Sequence, residues 1–180
     1  MLVEIDITQE KIPAVFLIDM QSVFLGKVTN PYLLLNQIRI LRLCAKNDIP
    51  VVAFEFEFDT ALPRRVYYQH TIVKGLLLEL LDIQRLAIIF KADPDGFYKT
   101  GLNDILLALG TKTILLMGLA SDACVWFTAE SARNAGYKVI TSWDVMDGRR
   151  VPWYEQQEIL YNLKQCRRID QQLPSNILAP

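Results

Sequence analysis

The chain of 180 residues is 52% hydrophobic and 22% charged, with a formal net charge of −1. This balance fits a single well-cored α/β domain and excludes a disordered or polyelectrolyte chain. No long basic run recommends nucleic acid or an acidic membrane as partner, and no uncharged apolar stretch approaches the ~20 residues of a membrane span.

In chain order, the opening segment MLVEIDITQEKIP carries early acids and no basic n-region, so it does not read as a signal peptide. AVFLID (14–19) then reads as a strand, and PYLLLNQIRILRLCAKN (31–47) as a helix opened by Asn30 and Pro31. PVVAFEF (50–56) predicts a second strand. The polar stretch 58–73 predicts a long loop or lid, a kind of segment that is often functional. A helix over 75–81 leads to the strand LAIIF (86–90), and a helix over 101–110 to the strand TILLMG (113–118). A helix over 123–136 precedes the strand YKVITS (137–142), with Gly110 and Gly136 placed as C-terminal caps. PWYEQQEILYNLKQ (152–165) predicts a last helix, followed by a weak edge strand at CRRIDQQLP. Continuous Val/Ile/Leu runs suit strands buried on both faces of a parallel sheet. The alternation predicts a three-layer α/β/α, doubly wound, mostly parallel domain, with no internal repeat or linker.

The three cysteines, Cys44, Cys124 and Cys166, lack CxxC spacing, so a disulfide framework is not expected and a reducing cytoplasm is the natural compartment. The single histidine, His70, lies in a polar loop without HxH or HExxH spacing, so no metal site and no Cys-His dyad is expected.

In open α/β sheets ligands bind beyond the carboxyl ends of the strands. Three chemical groups stand there. Asp19 ends the first strand as either a local cap or a paired carboxylate. Lys91 follows LAIIF and either snorkels to water or meets an anion. Cys124 follows TILLMG and opens a helix, where it is either a small buried hydrophobe or a nucleophile. The partial positive charge of a helix N-terminus is expected to favour the thiolate and lower the thiol pKa. In a parallel sheet these ends share one edge, so acid, lysine and thiol can converge. An acid beside a thiol can take its proton, and an ammonium stabilises both anions.

Three motifs, AVFLIDMQSVF, KADPDGFYKTGLNDIL and GLASDACVWFTAESARNAGYKV, resemble in order those of the isochorismatase-like cysteine hydrolases. That superfamily includes nicotinamidases and N-carbamoylsarcosine amidohydrolases. The resemblance spans residues ~13–145. It implies Asp19 as general base and acid, Lys91 as electrostatic partner and Cys124 as nucleophile. It also implies a cis peptide between Leu119 and Ala120, which turns the Ala120 and Cys124 N–H groups inward as an oxyanion hole. Phe24, Gln21 and Phe97 fall on positions beside the site. Phe24 is a candidate pocket wall or a core aromatic, and Phe97 a pocket residue or a brace for the lysine loop.

The expected activity is hydrolysis of a small amide or related C–N bond through a thioester, with no cofactor. The expected partners are a small-molecule substrate and further copies of the chain, as a dimer or tetramer. The sequence departs from nicotinamidases by lacking histidines after the second strand, and Ser22-Val23 replace a common asparagine-aspartate pair. A non-catalytic binding or scaffold member is the alternative these departures leave open. A nucleotide-binding Rossmann-like protein is disfavoured, because MQSVFLG stands where G-x-G-x-x-G belongs.

Overall fold

The computed structural model describes residues 10–11, 13–57 and 71–148. Residues 58–70 of the predicted loop 58–73 (with Phe58, Arg64, Arg65, Tyr67, Tyr68 and His70), the predicted helix 152–165 and the terminal strand with Cys166 lie outside the described residues.

Five strands, β1 (Pro13–Ile18), β2 (Val51–Phe56), β3 (Leu86–Lys91), β4 (Thr113–Leu119) and β5 (Lys138–Asp147), form one sheet in the order β3-β2-β1-β4-β5. Every pairing is parallel. The helices are α1 (Leu33–Lys46), α2 (Lys74–Leu80), α3 (Leu102–Ala108) and α4 (Cys124–Asn134), with a 3-10 helix at Ser22–Lys27. The chain winds from β1 outward to β3, then returns across the sheet to β4. The order therefore reverses between β1 and β4, the crevice where this architecture places ligands.

Alternate strand residues feed two cores, as the twofold period of a strand requires. Val15 and Leu17 face α1 and α2, together with Val51, Ala53, Leu115 and Met117. Ala14, Phe16 and Ile18 face α3 and α4 with Val52, Phe54 and Leu116. Phe16 meets Phe54 edge-on, with ring centroids 5.3 Å apart. On α1 the buried stripe Leu33, Ile40, Leu41 and Cys44 follows helical spacing. Cys44 is thus a core side chain, its thiol pushed up to about 12 by burial.

Two departures from the sequence expectation matter for the site. Helix α1 begins at Leu33, with Asn30 Oδ1 accepting from Tyr32 N–H at 3.0 Å. And β5 runs to Asp147, five residues beyond the predicted end. Its register against β4 shifts between Leu116 and Gly118, after which Gly118 pairs with Met146 and Leu119 with Asp147. Such an irregularity breaks the apolar run that reads as a strand, which is why the extension was not legible. Two buried amides of α1 satisfy the disrupted edge: Asn36 Nδ2 donates to Asp144 O at 2.9 Å and Gln37 Nε2 to Val145 O at 3.0 Å.

Candidate active site

The ends of β1, β3 and β4 bring Asp19, Lys91 and Cys124 to one place. Asp19 follows β1 in the left-handed region (φ 49°), which aspartate tolerates better than most residues. Lys91 is the last residue of β3, two strands away, roughly 10 Å at ~4.8 Å per strand. It pairs in register with Phe56 on β2 and reaches across that strand end, its Nζ lying 4.8 Å from the Phe56 ring centroid. The ammonium ends 2.8 Å from Asp19 Oδ2, with both side chains sealed from solvent. It also donates to the carbonyls of Asp93 (3.1 Å) and Pro94 (3.3 Å). Lys91 therefore meets an anion and does not snorkel.

Cys124 is the first residue of α4, half-buried, and near enough to Asp19 for the two groups to shift each other's pKa. Burial raises the Asp19 carboxyl, and Lys91 opposes that rise by charge and hydrogen bond. The same burial, reinforced by the Asp19 charge, pushes the Cys124 thiol up to about 12 against the pull of Lys91. The expectation of a thiol lowered by the helix N-terminus is thereby corrected. Loss of water and an adjacent carboxylate raise the group, so it rests as a thiol beside a base.

Between β4 and α4 the Leu119–Ala120 peptide is cis, as the sequence motif implied. Ser121 N–H is taken by Asp147 O, and the Ala123 and Val125 N–H groups by Ala120 O. Neither the Ala120 nor the Cys124 N–H has a backbone acceptor among the described residues.

The neighbouring candidates divide by use. Gln21 is buried with its amide committed at both ends: Oε1 accepts from Phe56 N–H at 2.8 Å, and Nε2 donates to Thr71 Oγ1 (2.6 Å) and Phe56 O (3.2 Å). It ties the exit of β1 to the end of β2 and to residue 71. Phe24, on the 3-10 helix, is partly buried against the α1/α2 core. Phe97 packs against Phe16 and Tyr137, at centroid distances of 6.5 and 6.3 Å. It braces the lysine loop from the α3/α4 core.

Two buried acids escaped the sequence reading. Glu55, near the end of β2, accepts from Thr71 N–H (3.0 Å) and Oγ1 (3.1 Å). Asp147, at the end of β5, accepts from the N–H groups of Thr29, Asn30 and Gly148 and from Thr29 Oγ1. Burial would raise the Asp147 carboxyl, but the Asn30, Thr29 and Gly148 N–H groups outweigh it and hold the group below its ordinary value. Asp147 anchors the segment leaving the 3-10 helix. The signal was present, since an acid closing an apolar strand is the pattern that singled out Asp19. Among the described residues no three His, Cys, Asp or Glu side chains gather to hold a metal ion.

Comparison with known proteins bears on this arrangement directly. Residues 13–163 match the family model of the isochorismatase domain. The chain belongs to the isochorismatase family. It is 30% identical over 105 residues, 58% of this chain and 54% of that protein, to the secreted isochorismatase effector Isc1 of Verticillium dahliae. The chain thus spans about half the length of that curated relative. Among solved structures, an isochorismatase-like hydrolase from Alkaliphilus metalliredigens superposes with a TM-score of 0.72 at 22% identity, over 91% of this chain and 96% of that one. N-carbamoylsarcosine amidase from Thermoplasma acidophilum gives 0.68 at 23%, over 88% and 96%. Both solved structures share the fold of this chain. Among the described residues no helix of this isochorismatase-family chain is long and apolar enough to cross a membrane.

Proposed function

We propose that this isochorismatase-family protein is a cysteine-dependent hydrolase of a small amide or related C–N bond, acting through a thioester on an Asp19–Lys91–Cys124 triad. The observation that carries this reading is the sealed Lys91–Asp19 pair at 2.8 Å, set against the Cys124 thiol at the head of α4. A buried charge pair is costly to desolvate and weak evidence of stability alone. Placed against a thiol at the switch point of the sheet, it serves proton transfer.

Because the thiol rests protonated, attack and deprotonation are coupled. Cys124 Sγ approaches the carbonyl carbon while its proton passes to Asp19, and the Lys91 ammonium compensates the shifting charge. The Ala120 and Cys124 N–H groups receive the developing oxyanion. The protonated Asp19 then delivers its proton to the leaving amine, whose bond to carbon breaks to leave the acyl-thioester. Asp19 next takes a proton from water, the hydroxyl adds to the thioester carbon, and the proton returns to Sγ as the acid leaves. Gln21 and Phe24 border this space, Gln21 by holding the end of β2 in place. The two described cysteines are unpaired, which suits a reducing compartment, and exposed Val23, Leu81 and Leu107 offer apolar surface for self-association, to be checked by light scattering.

The test is a panel of small amides, ureido compounds and imides assayed for release of the amine or ammonia, with mass detection of an acyl adduct on Cys124. Turnover with a trapped adduct is expected. A Cys124→Ala variant that keeps full turnover on a confirmed substrate would overturn the reading.

A further inference from the structure

The chemistry described above uses only the first residue of α4. Further along the same helix, Thr128 and Ser131 follow Cys124 at i+4 and i+7, so all three lie on one face. Thr128 is completely buried, and its Oγ1 accepts from Gly96 N–H at 2.9 Å and reaches Pro94 O at 3.5 Å. Ser131 Oγ donates to Asp95 Oδ2 at 2.6 Å. Both partners belong to the loop that follows β3, and two carbonyls of that loop, Asp93 O and Pro94 O, accept from Lys91 Nζ. The fit is close. A Cβ at Gly96 would stand 3.0 Å from Phe54 Cε1 and 3.1 Å from both Thr128 Cγ2 and Oγ1.

We infer that Thr128, assisted by Ser131, is a positioning residue: it fastens the 93–96 loop to the helix that carries the nucleophile, and so sets where the Lys91 ammonium stands relative to Asp19 and Cys124. The physical argument is one of reach. Lys91 has a long stem with several rotatable bonds, so its ammonium needs fixed acceptors to stay in one place. Asp93 O and Pro94 O are those acceptors, and as loop carbonyls they are only as fixed as the loop. The hydroxyl of Thr128 ties that loop to α4 by the backbone N–H of Gly96, two residues from Pro94. The nucleophile and the groups that steer its counter-charge are thereby mounted on one rigid element.

The inference rests on the triad reading, and the test separates the two without a known substrate. Iodoacetamide is reacted with the intact protein at fixed pH near 8.5, and modification of the Cys124 peptide is followed by mass spectrometry. Lys91→Met, assayed where circular dichroism shows it as fully folded as the wild type, removes the ammonium and should slow alkylation, since Lys91 favours the thiolate. Thr128→Val, which keeps the shape and loses the hydroxyl, should slow it in the same direction by about threefold or more. Thr128→Ser should restore the wild-type rate, and Ser131→Ala should slow it less than Thr128→Val. A merely structural role for Thr128 predicts the opposite sign, because a loosened fold exposes the thiol and speeds alkylation. If Thr128→Val does not fold, as judged by circular dichroism, Ser131→Ala against wild type decides. A slowed Lys91→Met beside an unchanged or faster Thr128→Val (or, in its place, Ser131→Ala) would overturn this inference alone. A Lys91→Met rate equal to wild type would overturn the triad reading and the inference with it.

Discussion

Lys91 Nζ and Asp19 Oδ2 stand 2.8 Å apart with neither side chain exposed to water, although two strand positions separate their backbones. Removing one member leaves the other charge buried and uncompensated. Lys91→Met is therefore expected to destabilise the fold by about 3–5 kcal/mol, measured as the loss in urea unfolding free energy. Asp19→Asn combined with Lys91→Met should recover much of that loss, because both charges are then gone. Activity on any confirmed substrate should vanish in both variants.

Loss of water pushes both described thiols, the buried Cys44 and the half-buried Cys124, up to about 12, against ~8.5 in an unfolded chain. Above that unfolded value the unfolded state has lost protons that the folded state keeps, so the slope of stability with pH is negative. The contribution is whole below about pH 8.5 and drains away as pH climbs toward the folded value near 12. Urea midpoints measured from pH 7.5 to 10.5 should fall, and Cys44→Ala should flatten that fall even though it lowers the overall level.

Asp147 behaves in the opposite sense. Its carboxyl is held down by the N–H groups of Asn30, Thr29 and Gly148, so its contribution is present above the unfolded value of ~3.9 and is lost as pH falls through the lower folded value. Asp147→Ala removes several hydrogen bonds to a charged acceptor and should cost about 1.5–3 kcal/mol at neutral pH. The difference from wild type should shrink in acid, as read by thermal melts at pH 7 and pH 3.

Gly118 sits where β4 passes β1 most closely. A Cβ there would lie 2.1 Å from Ile18 O, at a φ of +135° that L side chains rarely adopt. The clash is with backbone and cannot be relieved by a rotamer change. Gly118→Ala should cost more than about 4 kcal/mol, seen as loss of soluble folded protein.

The layout of the sheet was legible because its signal is local and strong. Apolar runs such as AVFLI and TILLM bury on both faces, and a run of that length bounded by turns predicts a parallel strand wherever it lies. The candidate residues were legible for a related reason: Asp19, Lys91 and Cys124 are each a polar exception at the end of such a run. Phe97 and Gln21 were placed beside the site but not in their use. What a ring or an amide touches depends on partners such as Phe16, Tyr137 and Thr71, which sit 40 to 81 residues away. The extension of β5 was hidden by its register shift, and the roles of Asp147 and Thr128 by contacts that cross the sheet.

The sequence by itself determined the class of fold, the order of its elements and the three groups that meet at one edge, since these follow from periodicity and from the costs of burying charge. Only the tertiary structure decided the state of those groups. The local rule for a cysteine at a helix N-terminus predicts a lowered thiol pKa, and that rule loses here. Burial and the charge of Asp19, delivered from another strand, outweigh the helix end and leave Cys124 a thiol awaiting its base. A pKa is set by everything within a few ångströms, and most of what lies that close to Cys124 is far from it in sequence.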